Sequence, residues 1–403
     1  MTTPSNNTLA QRIRPSLLPA SRPVPLPLSD RLFSPRLILI AGCAALSVAA
    51  APRTGDAPAQ PQSTSTMSRL DTAPRKVLLG TMISGYEIFG LPVDKRLDKM
   101  DELMATIAAE AEARYPGKNL DLVVFPEDFL ARASWGSTAK DRVLRLETVR
   151  DRLAACAKRY GCYMVVPMWL EETDTPPRYS NAAVLIDRAG SVVGIYRKVH
   201  PVATSADSVE DGTTPGRRFP VFACDFGRLG IQICWDMSYD DGWEALARQG
   251  AEIVALPSAS PQTRRPAMYA VMHRYYIVNA TPRDNATVFN PLGVPEAQVN
   301  RGVLVHQIDL SYAILHFSPD LDEGRLMSRK YGDKVGYHYY STEDTGIFFS
   351  NDPTTTIGQM TRALNLAEMD AEIERCRKIQ DTVRPGPPIM PAANATTTQD
   401  AGE

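Results

Sequence analysis

Short apolar runs recur through this chain in alternation with helix-spaced segments, and only a layered fold of strands and helices satisfies that pattern. "KVLLGTMI" (76–83), "LDLVVFP" (120–126, ending at a proline) and "CYMVVPMW" (162–169) predict strands. In "KRLDKMDELMATIAAEAEARY", Leu97, Met100, Leu103, Met104, Ile107 and Ala111 recur at helical spacing, with Gly117 as a stop. "VLRLETVRDRLAACAKRYG" predicts a second helix. "AAVLID" and "VVGIY" flank "RAGS" as a hairpin, and "RFPVFAC" and "RLGIQIC" flank "DFG" as another. Further on, "DGWEALARQG" and "RPAMYAVMHRYY" predict helices, and "AEIVALPSA", "IVNAT", "ATVFN" and "GVLVHQIDL" predict strands. The fold class is therefore α/β with layered packing, and the hairpins argue against a purely parallel doubly wound sheet. No internal repeat is visible.

The two ends differ from this middle. Residues 1–36 carry Arg12, Arg14, Arg22, Arg31 and Arg36 among many Pro and Ser, and are followed by "LILIAGCAALSVAAA" (37–51). That stretch is short for a membrane span and suits the apolar region of a signal peptide, with Ala49 to Ala51 as a cleavage site or Cys43 as a lipid attachment point. Both imply export to the periplasm, the medium or a lipid anchor; the alternative is a cytoplasmic protein that starts at Met67. A Pro/Ser/Thr linker completes a disordered leader over 1–74. Beyond Leu310 the pattern weakens into a loop-rich extension, a helix at 364–382 and a disordered tail over 383–403.

Charge and cysteine usage exclude several functions. With 44 basic and 46 acidic side chains the net charge is only -2, without the basic, aromatic-interleaved track that nucleic acid requires. The six cysteines form neither a C-x-x-C pair nor a Cys/His cluster, so no zinc site or dense disulfide framework is expected.

Three apolar runs end abruptly on an ionisable side chain: "LVVFPED" at Glu127, "VVGIYRKVH" at Lys198 and "LGIQICWD" at Cys234. Singly these are a solvated glutamate, a surface lysine and a buried thiol. Together they make a complete set, because a thiol that is mostly unionised near neutrality needs a base to take its proton, and the oxyanion it generates needs a cation. Histidine is the commoner thiol partner, which leaves a Cys/His hydrolase through His200 as the alternative mechanism.

The strings "FPED", "YRKVH" and "GIQICWD", with 71 positions from Glu127 to Lys198 and 36 from Lys198 to Cys234, resemble the nitrilase superfamily of carbon-nitrogen hydrolases. "TPGRRFPVFACDFGRLG", "ARQGAEIVALPSAS" and "ATVFNPLG" extend the likeness over about 76–310, which sets a hydrolase domain at 75–320 and an extension at 321–382. The resemblance implies a four-layer α-β-β-α sandwich, a homodimer or higher homo-oligomer, and no cofactor or metal. It implies Cys234 as nucleophile, Glu127 as general base, Lys198 as oxyanion stabiliser, Glu210 as a supporting carboxylate and the Trp235 backbone N–H as an oxyanion donor. The polar run "DMSYDDGW" is expected to turn the chain into the next helix, with Cys234 near its N-terminus, where the dipole favours the thiolate. Cys234-Trp235-Asp236, where nitrilases carry Cys-Trp-Glu, leans toward a small-molecule amide or N-carbamoyl substrate, with nitrile hydrolysis as the alternative. A non-catalytic binding protein on the same scaffold is the reading of a different class; an enzyme is expected to show iodoacetamide labelling of Cys234 faster than a free thiol. "ASPQTRRPAMYAVM" is expected to line the pocket, with Arg264 and Arg265 able to meet a carboxylate but reading first as exposed helix-start arginines. The extension is expected to cover the pocket or reach across a dimer.

Overall fold

The computed structural model describes residues 68–134, 136–316, 321–322 and 324–386. The expected export segment at 37–51, Cys43, Met67 and all but the first residues of the expected tail lie outside them.

Strands β1 (Lys76–Met82), β2 (Leu122–Val124) and β3 (Tyr163–Glu171) run parallel, and β4 (Tyr179–Ile186) and β5 (Val192–Arg197) continue the sheet antiparallel. A second sheet repeats this order. Its strands β7 (Arg228–Ile231), β8 (Ile253–Pro257) and β9 (Tyr276–Ala280) are parallel, β10 (Ala286–Phe289) and β11 (Pro295–Val299) are antiparallel, and β6 (Val221–Ala223) pairs with β7 on the opposite edge. β12 (Val303–Asp309) takes the equivalent edge of the first sheet, beside β1. The repeat that the sequence hides is thus one of topology: three parallel strands, an antiparallel pair on one side and one antiparallel strand on the other.

The side chains of each central strand divide between two cores, as the two-residue period of a pleated strand requires. Val77 and Leu79 of β1, with Leu122 and Val124 of β2, pack between the sheets against Leu229, Ile231, Ile253 and Val278. Leu78 and Met82, with Val123, face outward under helices α1 (Val93–Arg114) and α3 (Arg150–Tyr160). On the far side Val254, Leu256 and Ile277 meet Trp243 and Leu246 of α4 (Asp241–Arg248) and Tyr269 of α5 (Arg264–His273). Helix, sheet, sheet and helix form the four layers expected, and burial on both faces explains why these strands read as continuous apolar runs. Gly80 permits the closeness of the outer layer, since a Cβ there would lie 2.8 Å from Ile107.

Two expectations are corrected. The segment expected as one helix over 143–161 is α-helical only from Arg150, after a 3-10 turn at Leu146–Thr148: Leu144 instead exchanges hydrogen bonds with β3, its N–H 2.8 Å from the Trp169 carbonyl and its carbonyl 2.9 Å from the Glu171 N–H. A short helix α2 (Ala139–Arg142) precedes it. The stretch expected to be loop-rich is in fact built of strands β13 (Tyr312–His316), β14 (Val335–Tyr340) and β15 (Thr345–Ser350), with helices α6 (Arg325–Tyr331) and α7 (Ile357–Arg362), while the helix expected at 364–382 is present as α8 (Met369–Val383). β15 lies between the other two strands, and Leu315, Met327, Phe348 and Met360 form a core of its own.

Candidate active site

Both sheets deliver side chains to one place at the C-terminal ends of their parallel strands. Past β2 the chain stays pinned to β3, with the Phe125 N–H 3.1 Å from the Val165 carbonyl, and Glu127 follows at 4% exposure. Asp128 next to it is left-handed at φ 61°. Arg96, at 1% exposure, holds this loop from α1 by donating to the carbonyls of Asp128 (2.9 Å) and Phe89 (2.8 Å). Lys198 follows β5, its N–H 2.9 Å from the carbonyl of Asn181 on β4.

From the second sheet comes Cys234. β7 ends three residues earlier, and the cysteine starts a five-residue 3-10 turn, Cys234–Ser238, at φ 44°. Asp236, fully buried, shapes that turn by accepting from the Ile233 N–H (2.9 Å), the His200 N–H (2.8 Å) and the Tyr196 hydroxyl (2.7 Å). The next helix begins at Asp241, where "DGWEALARQG" starts, and a 3-10 turn separates it from Cys234; the cysteine therefore lies more than a turn before the helix, beyond the reach of its dipole.

These residues surround one cavity of about 340 Å³, lined by Glu127, Lys198, Glu210 and Cys234 together with Asn181, Arg142 and others. Larger cavities of about 590 and 600 Å³ lie beside His316, and Cys234 lines neither. The Lys198 ammonium sits 2.8 Å from Glu127 Oε1 and also donates to Glu210 Oε1. Glu127 further accepts from Asn181 Nδ2 (2.9 Å) and the Ala259 N–H (2.9 Å), and it interacts electrostatically with Cys234 at the same cavity. Asn181 spans both carboxylates, giving its second Nδ2 proton to Glu210 Oε2 at 3.0 Å.

One ammonium between two carboxylates divides them electrostatically. Burial pushes the Glu127 carboxyl up, but the Lys198 charge and the bonds from Lys198, Cys234 and Asn181 bring it below the ordinary value. Burial prevails at Glu210, and with the neighbouring Glu127 charge it holds that carboxyl above the ordinary value against the pull of Lys198. Burial would lower Lys198, yet Glu127, Glu210 and Cys234 hold it well above normal. Burial first, and then the Glu127 charge, push the Cys234 thiol up to about 12. The resting site is a neutral thiol against an anion and a cation, and a raised thiol argues against enhanced iodoacetamide labelling because it depresses the thiolate fraction.

Other expected residues take different positions. His200 lies 3.2 Å from Asp236 and 3.3 Å from Asp241 and stacks on Tyr239, engaged behind the Cys234 turn rather than in the cavity lining. Trp235 is 39% exposed, and its N–H belongs to the first turn of the 3-10 segment, where no carbonyl of the turn is available to it. Of "ASPQTRRPAMYAVM" only Ala259 lines the cavity; Arg264 and Arg265 are exposed at the start of α5. No described residue of the extension lines the pocket. The extension closes the opposite end of the sandwich, where the Tyr312 hydroxyl donates to the Arg274 carbonyl just before β9. Asn181, Arg96 and Arg142 were not singled out from sequence, where each is an ordinary strand or helix residue; nothing local marks them. Asp236, the aspartate of the Cys-Trp-Asp motif, is not among the cavity-lining residues and ties down the backbone of the turn.

A carbon-nitrogen hydrolase family matches residues 86–314. An N-carbamoylputrescine amidase of Arabidopsis thaliana is 34% identical over 110 residues, 27% of this chain and 36% of that protein. A bifunctional nitrilase/nitrile hydratase of Nicotiana tabacum is 27% identical over 208 residues, 47% of this chain and 56% of that protein. The chain spans about half the length of such curated relatives. The crystal structure of Saccharomyces cerevisiae Nit3, described as a member of the nitrilase superfamily, superposes with a TM-score of 0.49 at 18% identity, covering 64% of this chain and 95% of that one.

Proposed function

The chain belongs to the carbon-nitrogen hydrolase family, and from that premise we propose that it hydrolyses an amide or N-carbamoyl group of a small molecule through an acyl intermediate on Cys234. The observation that carries this reading is the meeting of Glu127, Lys198 and Cys234 at one cavity, with the Lys198 ammonium 2.8 Å from the Glu127 carboxylate. A thiol at about 12 is not a free thiolate near neutrality, so its proton passes to Glu127 as sulfur bonds to the carbonyl carbon. The carbonyl oxygen becomes an oxyanion beside the Lys198 ammonium and the Trp235 N–H. Glu127 then gives its proton to the departing nitrogen, the carbon–nitrogen bond breaks, and a thioester remains. Water, deprotonated by Glu127, adds to the thioester carbon and releases the acid and the thiol.

The test is ammonia release from primary amides, N-carbamoyl amines and nitriles, with unaltered protein and Cys234→Ala side by side. The reading expects turnover of the first or second class and a loss of more than roughly a thousandfold in the variant. Turnover that survives Cys234→Ala, or none with any class, would sink it. Turnover of nitriles alone would move the reading to nitrile hydrolysis, which the curated match to a nitrilase keeps in view.

A further inference from the structure

The cavity wall carries four carboxylates, Glu127, Asp128, Glu210 and Asp211, against two cations, Lys198 and Arg142. Both cations are already engaged. Lys198 lies between Glu127 and Glu210, and Arg142 lies 3.0 Å from Asp128 with its guanidinium 3.5 Å from the Trp169 ring centre. The remaining negative charge is concentrated at Glu210 and Asp211, and among the described residues Asp211 forms no ion pair.

The backbone that carries these two carboxylates is held in an unfavourable form. Glu210, Asp211 and Gly212 have consecutive positive φ values of 38°, 57° and 109°. For the two non-glycine residues such a conformation costs energy and persists only where surrounding contacts impose it. Here the Asp211 N–H donates to Thr204 Oγ1 at 3.2 Å, and its carbonyl accepts from the Ala139 N–H at 3.0 Å.

A second feature of the wall is an acceptor without a donor. Both Nδ2 protons of Asn181 are directed at carboxylates, which fixes the orientation of the amide, and its Oδ1 is buried with no hydrogen-bond partner. The feature that points the other way is Arg142 Nε, also without an acceptor. Its charge is met by Asp128, and one N–H suits a neutral oxygen rather than the two-pronged seat of a carboxylate.

We propose, resting on the hydrolytic reading above, that the substrate is a cation: an alkyl chain presents its amide or carbamoyl group to Cys234 and carries a protonated amine at its other end, which Asp211 receives. A carboxylate at that end would meet like charge at Glu210 and Asp211.

Three matched primary amides test this: ω-aminopentanamide with an ammonium end, pentanamide with a methyl end, and glutaramate with a carboxylate end. Their affinities for Cys234→Ala, measured by titration calorimetry, require no turnover; kcat/KM with unaltered protein is measured alongside. The ammonium amide is expected to exceed pentanamide by about tenfold in both measurements, as one charge-assisted hydrogen bond allows, with glutaramate weakest. The preference should shrink as salt rises. Asp211→Asn should bring the ammonium-to-methyl ratio toward one, and Asp211→Glu should restore part of it. Equal affinities, a reversed order or no binding of the ammonium amide overturns the inference. Selective binding without hydrolysis would instead uphold the charge preference and defeat the hydrolytic reading, whereas equal hydrolysis of all three would do the reverse.

Discussion

Glu127 keeps its negative charge in a buried position because donors from Lys198, Asn181 and Ala259 converge on it, and that same charge helps hold the proton on Cys234. Two measurements separate these effects. With the thiol at about 12, alkylation of Cys234 by iodoacetamide should still climb roughly tenfold per pH unit beyond pH 9, where an ordinary thiol levels off. A plateau near the ordinary value would show that the thiol is not raised. Glu127→Gln removes a charge that raises the thiol, so alkylation should become faster while hydrolysis is lost; slower alkylation would contradict the assignment. Because the Glu127 carboxyl lies below the ordinary value, its active anionic form survives acidification: the acid limb of kcat/KM should fall below about pH 4.3, the reference value for glutamate. The three residues at run ends were legible in sequence because each follows an apolar strand. Asn181 was not, since a polar residue at the start of "NAAVLID" reads as a strand edge, and only the fold reveals that it faces Trp169 across β3 and bridges two carboxylates.

Elements set the site through their terminations. Cys234 sits on a turn rather than a helix, and a buried carboxylate, Asp236, gathers three donors to hold that turn. Asp236→Ala would leave the Tyr196 hydroxyl and the Ile233 N–H buried without that acceptor, at a cost of about 3 kcal/mol or more. Asp236→Asn keeps the shape and one acceptor oxygen, and should lose less. Urea unfolding of both variants checks the order; equal stability of Asp236→Ala and the unaltered protein would show that the clamp is idle. Helix α1 was readable because its apolar stripe faces a single layer. The stretch before α3 was misread because its apolar residues serve β3 in one half and the helix layer in the other, and helical spacing does not distinguish the two.

At the scale of the whole molecule, the duplicated strand order puts Glu127, Lys198 and Asn181 on one sheet and Cys234 and Ala259 on the other, so the site exists only while the sheets stay packed. Composition and run lengths conveyed the layers, but not the extension, whose strands alternate tyrosines with glycine and histidine in "VGYHYY" and lack a continuous apolar signal. That extension is part of the main fold. On β13, Ala313 and Leu315 face the extension's own core, while Tyr312 and Ile314 enter the core between the sheets, where Ile347 of β15 joins them. A strand shared between two cores should couple their unfolding. Ile314→Ala, at a fully buried position, is expected to cost about 2–5 kcal/mol. The loss should appear as one shifted transition when far-ultraviolet dichroism and tryptophan fluorescence follow the same urea titration. An independently folding extension would instead give two transitions, with the tryptophan signal unmoved, since Trp169 and Trp243 lie in the sandwich layers. Because no described residue beyond Ala259 lines the Cys234 cavity, kcat/KM of the folded variant, measured well below its unfolding midpoint, should match that of the unaltered protein within about twofold. A large fall in activity without a fall in stability would mean that the extension acts on the site and not merely on the fold.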